Sequence, residues 1–302
     1  VFVRLLTKLL RDAAIGSRVV PIVPDEARTF GMDALFRQFG IYSSEGQKYE
    51  PEDADKVMFY RESESGIMLE EGINEAGAFS AWLALATSYS NNNLPMIPFY
   101  IFYSMFGFQR THDLAWAAGD SRARGFLLGA TSGRTTLNGE GLQHQDGHSH
   151  ILASTIPNCR SYDPCYSYEL SAIIQEGIND MYVQNNDRYY YITLMNENYS
   201  HPTKPKKLTN HEILKGAYKF RENKNANIRI LASGVTLNFA LEAEEVLKKY
   251  NINCDIWSIT SFNELYREGI ETERQNRLNS TFKKSYVENC FNNEMPTLAV
   301  SE

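Results

Sequence analysis

LPMIPFYIFYSMFGF, residues 94–108, is the longest apolar run in the chain, and its reading decides what kind of sheet the protein builds. It is shorter than the roughly 20 residues that a membrane-spanning helix needs, and it contains two prolines. It therefore reads as a buried strand, with its aromatic side chains as core. A strand that is apolar on both faces belongs in a parallel sheet covered by helices on both sides. Five further runs support that reading: VVPIVP (19–24), GFLLGA (125–130), RYYYITLMN (188–196), IRILASG (228–234) and CDIWSIT (254–260). Helical periodicity separates them, most clearly in INEAGAFSAWLALATSYS (73–90) and YSYELSAIIQEGINDMY (166–182). The alternation of strand and helix predicts an α/β fold with doubly wound parallel sheets.

The chain's 302 residues suggest about two domains. The pattern breaks at HPTKPKKLTNHE (201–212), so the expected units are 1–203 and 204–302. In the second, IRILASG, the helix LNFALEAEEVLKKY and NINCDIWSIT form one βαβ unit. The tail NRLNSTFKKSYVENCFNNEMPTLAVSE (276–302) is too short to finish a doubly wound domain, and both ends of the chain look cut from something longer. The charged stretch 43–65 reads as a surface excursion, and VFVRLLTKLLRDAAIG at the start as an amphipathic helix. A net charge of −7 argues against nucleic acid or an anionic membrane as the main partner. Four scattered cysteines without CxxC spacing suggest no disulfide framework and fit a reducing cytoplasm.

Several segments carry candidate chemistry. VVPIVP runs into Asp25 and Glu26, which places two carboxylates at the carboxyl end of a parallel strand, the side on which open α/β sheets bind ligands; a surface helix cap explains them as well. In GIMLEEGINEAG (66–77), Glu70, Glu71 and Glu75 follow a short apolar stretch and open a helix, where they either complement its dipole or serve a site. LNGEGLQHQDGHSH (137–150) contains His144, His148 and His150 on a glycine-rich loop. That spacing leaves a zinc site open beside a polar substrate loop or a structural turn. A zinc-dependent hydrolase using these three histidines is accordingly one reading, and a non-catalytic assembly module is another. No GxSxG elbow and no GKS or GKT phosphate loop is present.

Taken in order, PDEARTFGMDALFRQFGIYS, GINEAGAFSAW, NNLPMIPFYIFYSMFGFQR, AAGDSRARGFLLGATSGRTTLNGEGLQHQDGHSH and YYYITLMNENY resemble the thiamine-diphosphate-dependent first component of bacterial pyruvate dehydrogenase complexes, homodimeric type. The resemblance runs through residues 1 to about 200 and continues more weakly to about 290. It implies a transketolase-like, pyrimidine-binding domain followed by an incomplete carboxyl-terminal domain. It also implies oxidative decarboxylation of pyruvate, with the two-carbon unit passed to a lipoyl group on the dihydrolipoyl acetyltransferase component. Within the same superfamily, another 2-oxo-acid dehydrogenase or a transketolase is the alternative.

By the same match, Glu75 hydrogen-bonds a ring nitrogen of the cofactor's aminopyrimidine. A carboxyl half-buried at a helix start can share a proton with such a weak base. Ile73 and Phe106 contact the ring, Phe106 by stacking, and Tyr103 lies beside it. Asp25 and Glu26 face the reaction centre, His144 reaches the substrate in an electrostatic role that needs no metal, and Glu140 lies in its loop near the cofactor. His148 and His150 are left to structure the loop. The family holds the diphosphate through Mg²⁺ at a GDG motif followed by asparagines in a separate amino-terminal domain. Here GDS (119–121), QDGH (145–148) and NNN (91–93) do not fit that pattern. The Mg²⁺ ligands are thus expected outside this chain, which by itself would supply half an active site and be inactive.

Overall fold

The computed structural model describes residues 1–24, 27–50 and 60–302. Two mainly parallel sheets organise them. The first has six strands: β1 (Val19–Val23), β4 (Leu69–Glu70), β5 (Ile97–Tyr103), β6 (Phe126–Ala130), β7 (Cys159–Tyr162) and β8 (Tyr189–Leu194). They lie in the order β4-β1-β5-β6-β8-β7, every pair parallel. Between β1 and β4 in the chain, β2 (Ile41–Tyr42) and β3 (Glu62–Ser63) pair as a small parallel ribbon. Of the stretch 43–65, expected to be a surface excursion, residues 51–59 lie outside the described residues, and beyond them Tyr60 packs edge-on against Phe36.

Alternate residues of a strand point to opposite faces, and β5 splits its apolar run in that way. Ile97, Phe99 and Ile101 enter one core with Leu35, Phe36, Leu170 and Ile173. Tyr100 and Phe102 enter the other, with Phe79, Trp82 and Ala115. Phe99 stacks on Phe126 of β6 with centroids 4.5 Å apart, so the first core continues across the sheet. The amino-terminal helix Phe2–Leu10 closes it, burying Phe2, Leu6 and Leu10.

Right-handed crossovers put the connecting helices where direction of travel dictates. The steps β4 to β5, β5 to β6 and β6 to β7 run one way across the sheet, and the helices Glu75–Ala86, Phe108–Asp120 and Ser149–Ser154 all bury residues in the second core. The steps β1 to β4 and β7 to β8 run the other way, and Asp33–Phe39 and Ser167–Ile178 cover the first. Travel thus reverses around β1, which lies between β4 and β5. The carboxyl ends there open a crevice of the kind that binds ligands.

The second sheet has the order β12-β10-β11-β9, from Thr297–Val300, Ile228–Ala232, Cys254–Ser258 and Tyr218–Arg221. β10 and β11 are parallel and joined by the helix Thr236–Leu247, the βαβ unit expected from sequence. The short tail supplies β12, parallel to β10, and β9 is antiparallel to β11. Among the described residues no helix is long and apolar enough to cross a membrane. All four cysteines are free.

One buried carboxylate ties the two sheets together. Glu169, with no exposed surface, accepts the N–H groups of Cys165 and Tyr166 at 2.7 Å each. Its other oxygen accepts the hydroxyls of Tyr218 and Ser258, also at 2.7 Å, from β9 and β11. Burial pushes its pKa up, and the four donated bonds pull against that. Glu169→Ala leaves these donors unsatisfied and should destabilise the protein by about 3 kcal/mol or more in denaturant titration, with Glu169→Gln intermediate; an alanine variant as stable as the parent contradicts this role.

Candidate active site

Three loops at the carboxyl ends of the first sheet, after β4, β5 and β6, bring together most of the residues singled out in the sequence. After β4, the chain turns through Gly72 and Ile73 into the helix Glu75–Ala86, where Asn74 caps the start by accepting the Gly77 N–H at 3.0 Å. Such a cap contributes about 1 kcal/mol. It also fixes the first turn, so that Glu75 stands at the helix start with its side chain only 12% exposed. Ile73, just before it, is 73% exposed, unusual for an isoleucine at the end of a buried sheet.

After β5, the turn Ser104–Phe106 leads into the helix Phe108–Asp120. Tyr103 is buried and meets Phe106 edge-on, with centroids 6.1 Å apart. His144, ending the turn Leu142–His144 in the loop after β6, completes an aromatic cluster. Its ring lies 4.9 Å from Tyr103 and 5.3 Å from Phe106, edge-on to both. His144 Nδ1 is buried and has no hydrogen-bond partner among the described residues. A buried polar atom without a partner is costly, and here it leaves a ring nitrogen with hydrogen-bonding capacity to spare.

Arg110 joins the carboxylate to the ring cluster. Its guanidinium lies 4.1 Å from the Phe106 centroid and donates to Glu75 Oε1 at 3.0 Å. This arginine ends the aromatic motif, where sequence alone gives it no role. It sits one helical turn past Phe106, and its significance lies in the meeting of that turn with the helix start at Glu75.

The remaining candidates fall elsewhere. Glu140 is exposed in the His144 loop, and its carbonyl accepts the Gln143 amide. Asp25 and Glu26 lie outside the described residues. The three histidines do not converge. His148 is exposed at the start of the helix Ser149–Ser154, while His150 bonds Thr193 Oγ1 at 3.0 Å and packs beside Tyr191. Burial lowers the His150 pKa, and Asp163 and Asp146 oppose that. Among the described residues no group of histidine, cysteine, aspartate and glutamate side chains is placed to hold a metal ion, and the zinc reading is corrected on that geometry.

An exposed apolar residue, an aromatic cluster, an acidic helix start and an orphaned ring nitrogen at a sheet's switch point suit a flat heteroaromatic ligand. The backbone defines a transketolase-like α/β protein. It aligns over 99% of its length with transketolase from Campylobacter jejuni, at 16% identity and a TM-score of 0.70, covering 38% of that chain. With transketolase from Leishmania mexicana the TM-score is 0.73 at 14% identity, again over 99% of this chain and 37% of that one. Those identities speak for the fold alone. The chain belongs to the pyruvate dehydrogenase E1 component family: residues 1–202 match "Pyruvate dehydrogenase E1 component middle domain", and residues 216–302 match "Transketolase-like TK C-terminal domain". It is 60% identical over 295 residues to the pyruvate dehydrogenase E1 component of Pseudomonas aeruginosa, covering 96% of this chain and 33% of that protein. The Escherichia coli E1 component is 53% identical over 307 residues, covering 100% of this chain and 34% of the relative. The chain thus spans about a third of the length of the curated relatives it matches.

The His144 loop is anchored by Asp146, 3% exposed. Burial alone would raise its pKa, but bonds from the Ser104 and Ser149 side chains, the His148 N–H and Gln109 outweigh it and hold the carboxyl below its ordinary value. A depressed folded-state pKa means stability that is complete above about pH 4 and lost as the pH falls through the folded value. Thermal melts of Asp146→Asn should therefore show a shallower loss of stability on acidification below about pH 4 than the parent; parallel curves contradict this.

Proposed function

We propose that this chain supplies the pyrimidine-binding face of an active site that decarboxylates pyruvate with thiamine diphosphate and passes the two-carbon unit to a lipoyl group. The observation that carries the reading is Glu75, largely buried at a helix start and joined through Arg110 to the Phe106 ring. The thiazolium ring of the bound cofactor supplies an electron sink for decarboxylation. Everything else falls to side chains of the kind gathered here.

Glu75 can hydrogen-bond a ring nitrogen and hold or return a proton there, because its carboxyl is shielded from water on most sides. Phe106 offers a stacking face, with Tyr103 and Ile73 as apolar flanks. Arg110 is a competing partner for Glu75, so ligand entry exchanges one hydrogen bond of the carboxylate for another. His144, with Nδ1 unpartnered, is suited to hydrogen-bond a substrate carboxylate or developing alkoxide, a role that strengthens as charge accumulates. Glu140 lies exposed in the same loop, and Asp25 and Glu26 complete the proposed reaction-facing set.

In the same reading, residues 1–203 form the pyrimidine-binding domain and 204–302 the carboxyl-terminal domain, with Mg²⁺ held by ligands outside the chain. A homodimer joins this face to the diphosphate-binding domain of a second copy and docks to a dihydrolipoyl acetyltransferase component, in a cytoplasmic setting.

In the whole E1 polypeptide, Glu75→Ala should lower pyruvate turnover by about two to four orders of magnitude, the range of a lost acid–base group, and turnover near that of the parent overturns the assignment. The 302-residue chain alone, given thiamine diphosphate and Mg²⁺, is expected to release no measurable carbon dioxide from pyruvate; clear release contradicts a shared site.

A further inference from the structure

The residues of the proposed site sit on separate loops, yet the loops after β5 and β6 share one buried anchor whose hydrogen-bond partners are none of those residues. Asp146 Oδ1 accepts the Gln109 amide at 2.7 Å, the His148 N–H at 2.9 Å and the Ser149 N–H at 3.2 Å. Asp146 Oδ2 accepts the Ser104 hydroxyl, and the Asp146 N–H donates to Gly133 O at 3.0 Å. Ser104 Oγ also lies 3.0 Å from the Tyr191 hydroxyl on β8, and Ser149 Oγ donates to Ser104 O at 3.3 Å.

The spacing of these partners along the chain is what gives the anchor its meaning. Asp146 is two residues from His144, Ser104 is two residues from Phe106, and Gln109 precedes Arg110, the partner of Glu75. Room for this knot is reserved in the sheet. A Cβ at Gly129 of β6 would lie 2.6 Å from the Tyr191 hydroxyl and 3.1 Å from Ser104 Oγ, so a larger residue would displace the polar groups.

Resting on the function proposed above, we infer that Asp146 is a positioning residue for that reaction: through Ser104 and Gln109 it sets the His144 loop against the Phe106 turn and the Glu75–Arg110 pair. The carboxylate is what the position requires. It accepts from a serine hydroxyl, an amide and two backbone N–H groups at once, and an acceptor on both of its atoms lets one side chain bind three segments. An asparagine preserves the shape and can still accept on Oδ1. Its amide nitrogen then faces Ser104, whose hydroxyl must turn to Tyr191, and the link to the Phe106 turn is the bond that changes.

The test is a double-mutant cycle in the whole E1 polypeptide with Asp146→Asn, Ser104→Ala and the pair, read as kcat and KM for pyruvate, with Glu75→Ala as reference. Misaligned groups in the reacting complex lower kcat and kcat/KM together, so each single change should reduce kcat by about tenfold and move KM by less than about twofold. Both act on one link, so the double variant should be no slower than the slower single by more than about twofold. Thermal melts establish that each variant is folded, and Asp146→Glu, which keeps the charge but lengthens the arm, should not restore kcat. Unchanged kcat in Asp146→Asn, or multiplicative losses in the pair, overturns the positioning role while a loss in Glu75→Ala leaves the site reading standing. Full turnover in Glu75→Ala removes the reading and this inference together.

Discussion

A right-handed crossover allows a parallel sheet little freedom: once the order of strands is set, the face that each helix covers follows. In this chain the constraint turns one reversal into a site. Travel goes from β1 outward to β4 and then back across β1 to β5. The helix that begins the return starts at Glu75, and the loops after β5 and β6 lie on the far side of the reversal. The acidic helix start and the aromatic turn therefore converge without any special local device. Beneath them β5 fills both cores, with Phe99 and Ile101 on one side and Tyr100 and Phe102 on the other.

Polar groups near this crevice are arranged by a second rule, that buried donors and acceptors be paired. Asp146 satisfies donors from three segments, and Glu169 does the same at the junction of the two sheets. His144 Nδ1 breaks the rule within a few residues of Asp146. The loop is thus fully paired at its anchor and carries an unpaired ring nitrogen at its tip.

How much of this was legible in the sequence follows from what each element uses as its signal. Strands β1, β5, β6, β8, β10 and β11 are long apolar runs, readable because both faces are buried. β7 was not readable, since CRSY carries an arginine and a serine and is a strand only because β8 offers it a free edge. β4 is two residues long, and β12 is largely exposed, so neither carries a periodic signal. At the site, the roles of Glu75, Tyr103, Phe106 and His144 come from the resemblance, while the residues alone favour a helix dipole for the glutamate and core for the aromatic run, and leave a metal site open beside a polar loop or turn. Arg110 and Asp146 were invisible in sequence because their meaning lies in contacts across 35 and 42 positions.

The Glu169 junction has a consequence for how such a chain can be divided or recombined. Its carboxylate is carried by the first sheet's unit, and half of its donors belong to the second. A cut between the units leaves a buried anion facing water on one side and two bare hydroxyls on the other. The two units are therefore not interchangeable parts: a carboxyl-terminal domain grafted from a distant relative has to bring hydroxyls at the positions of Tyr218 and Ser258, or lose its grip on its neighbour.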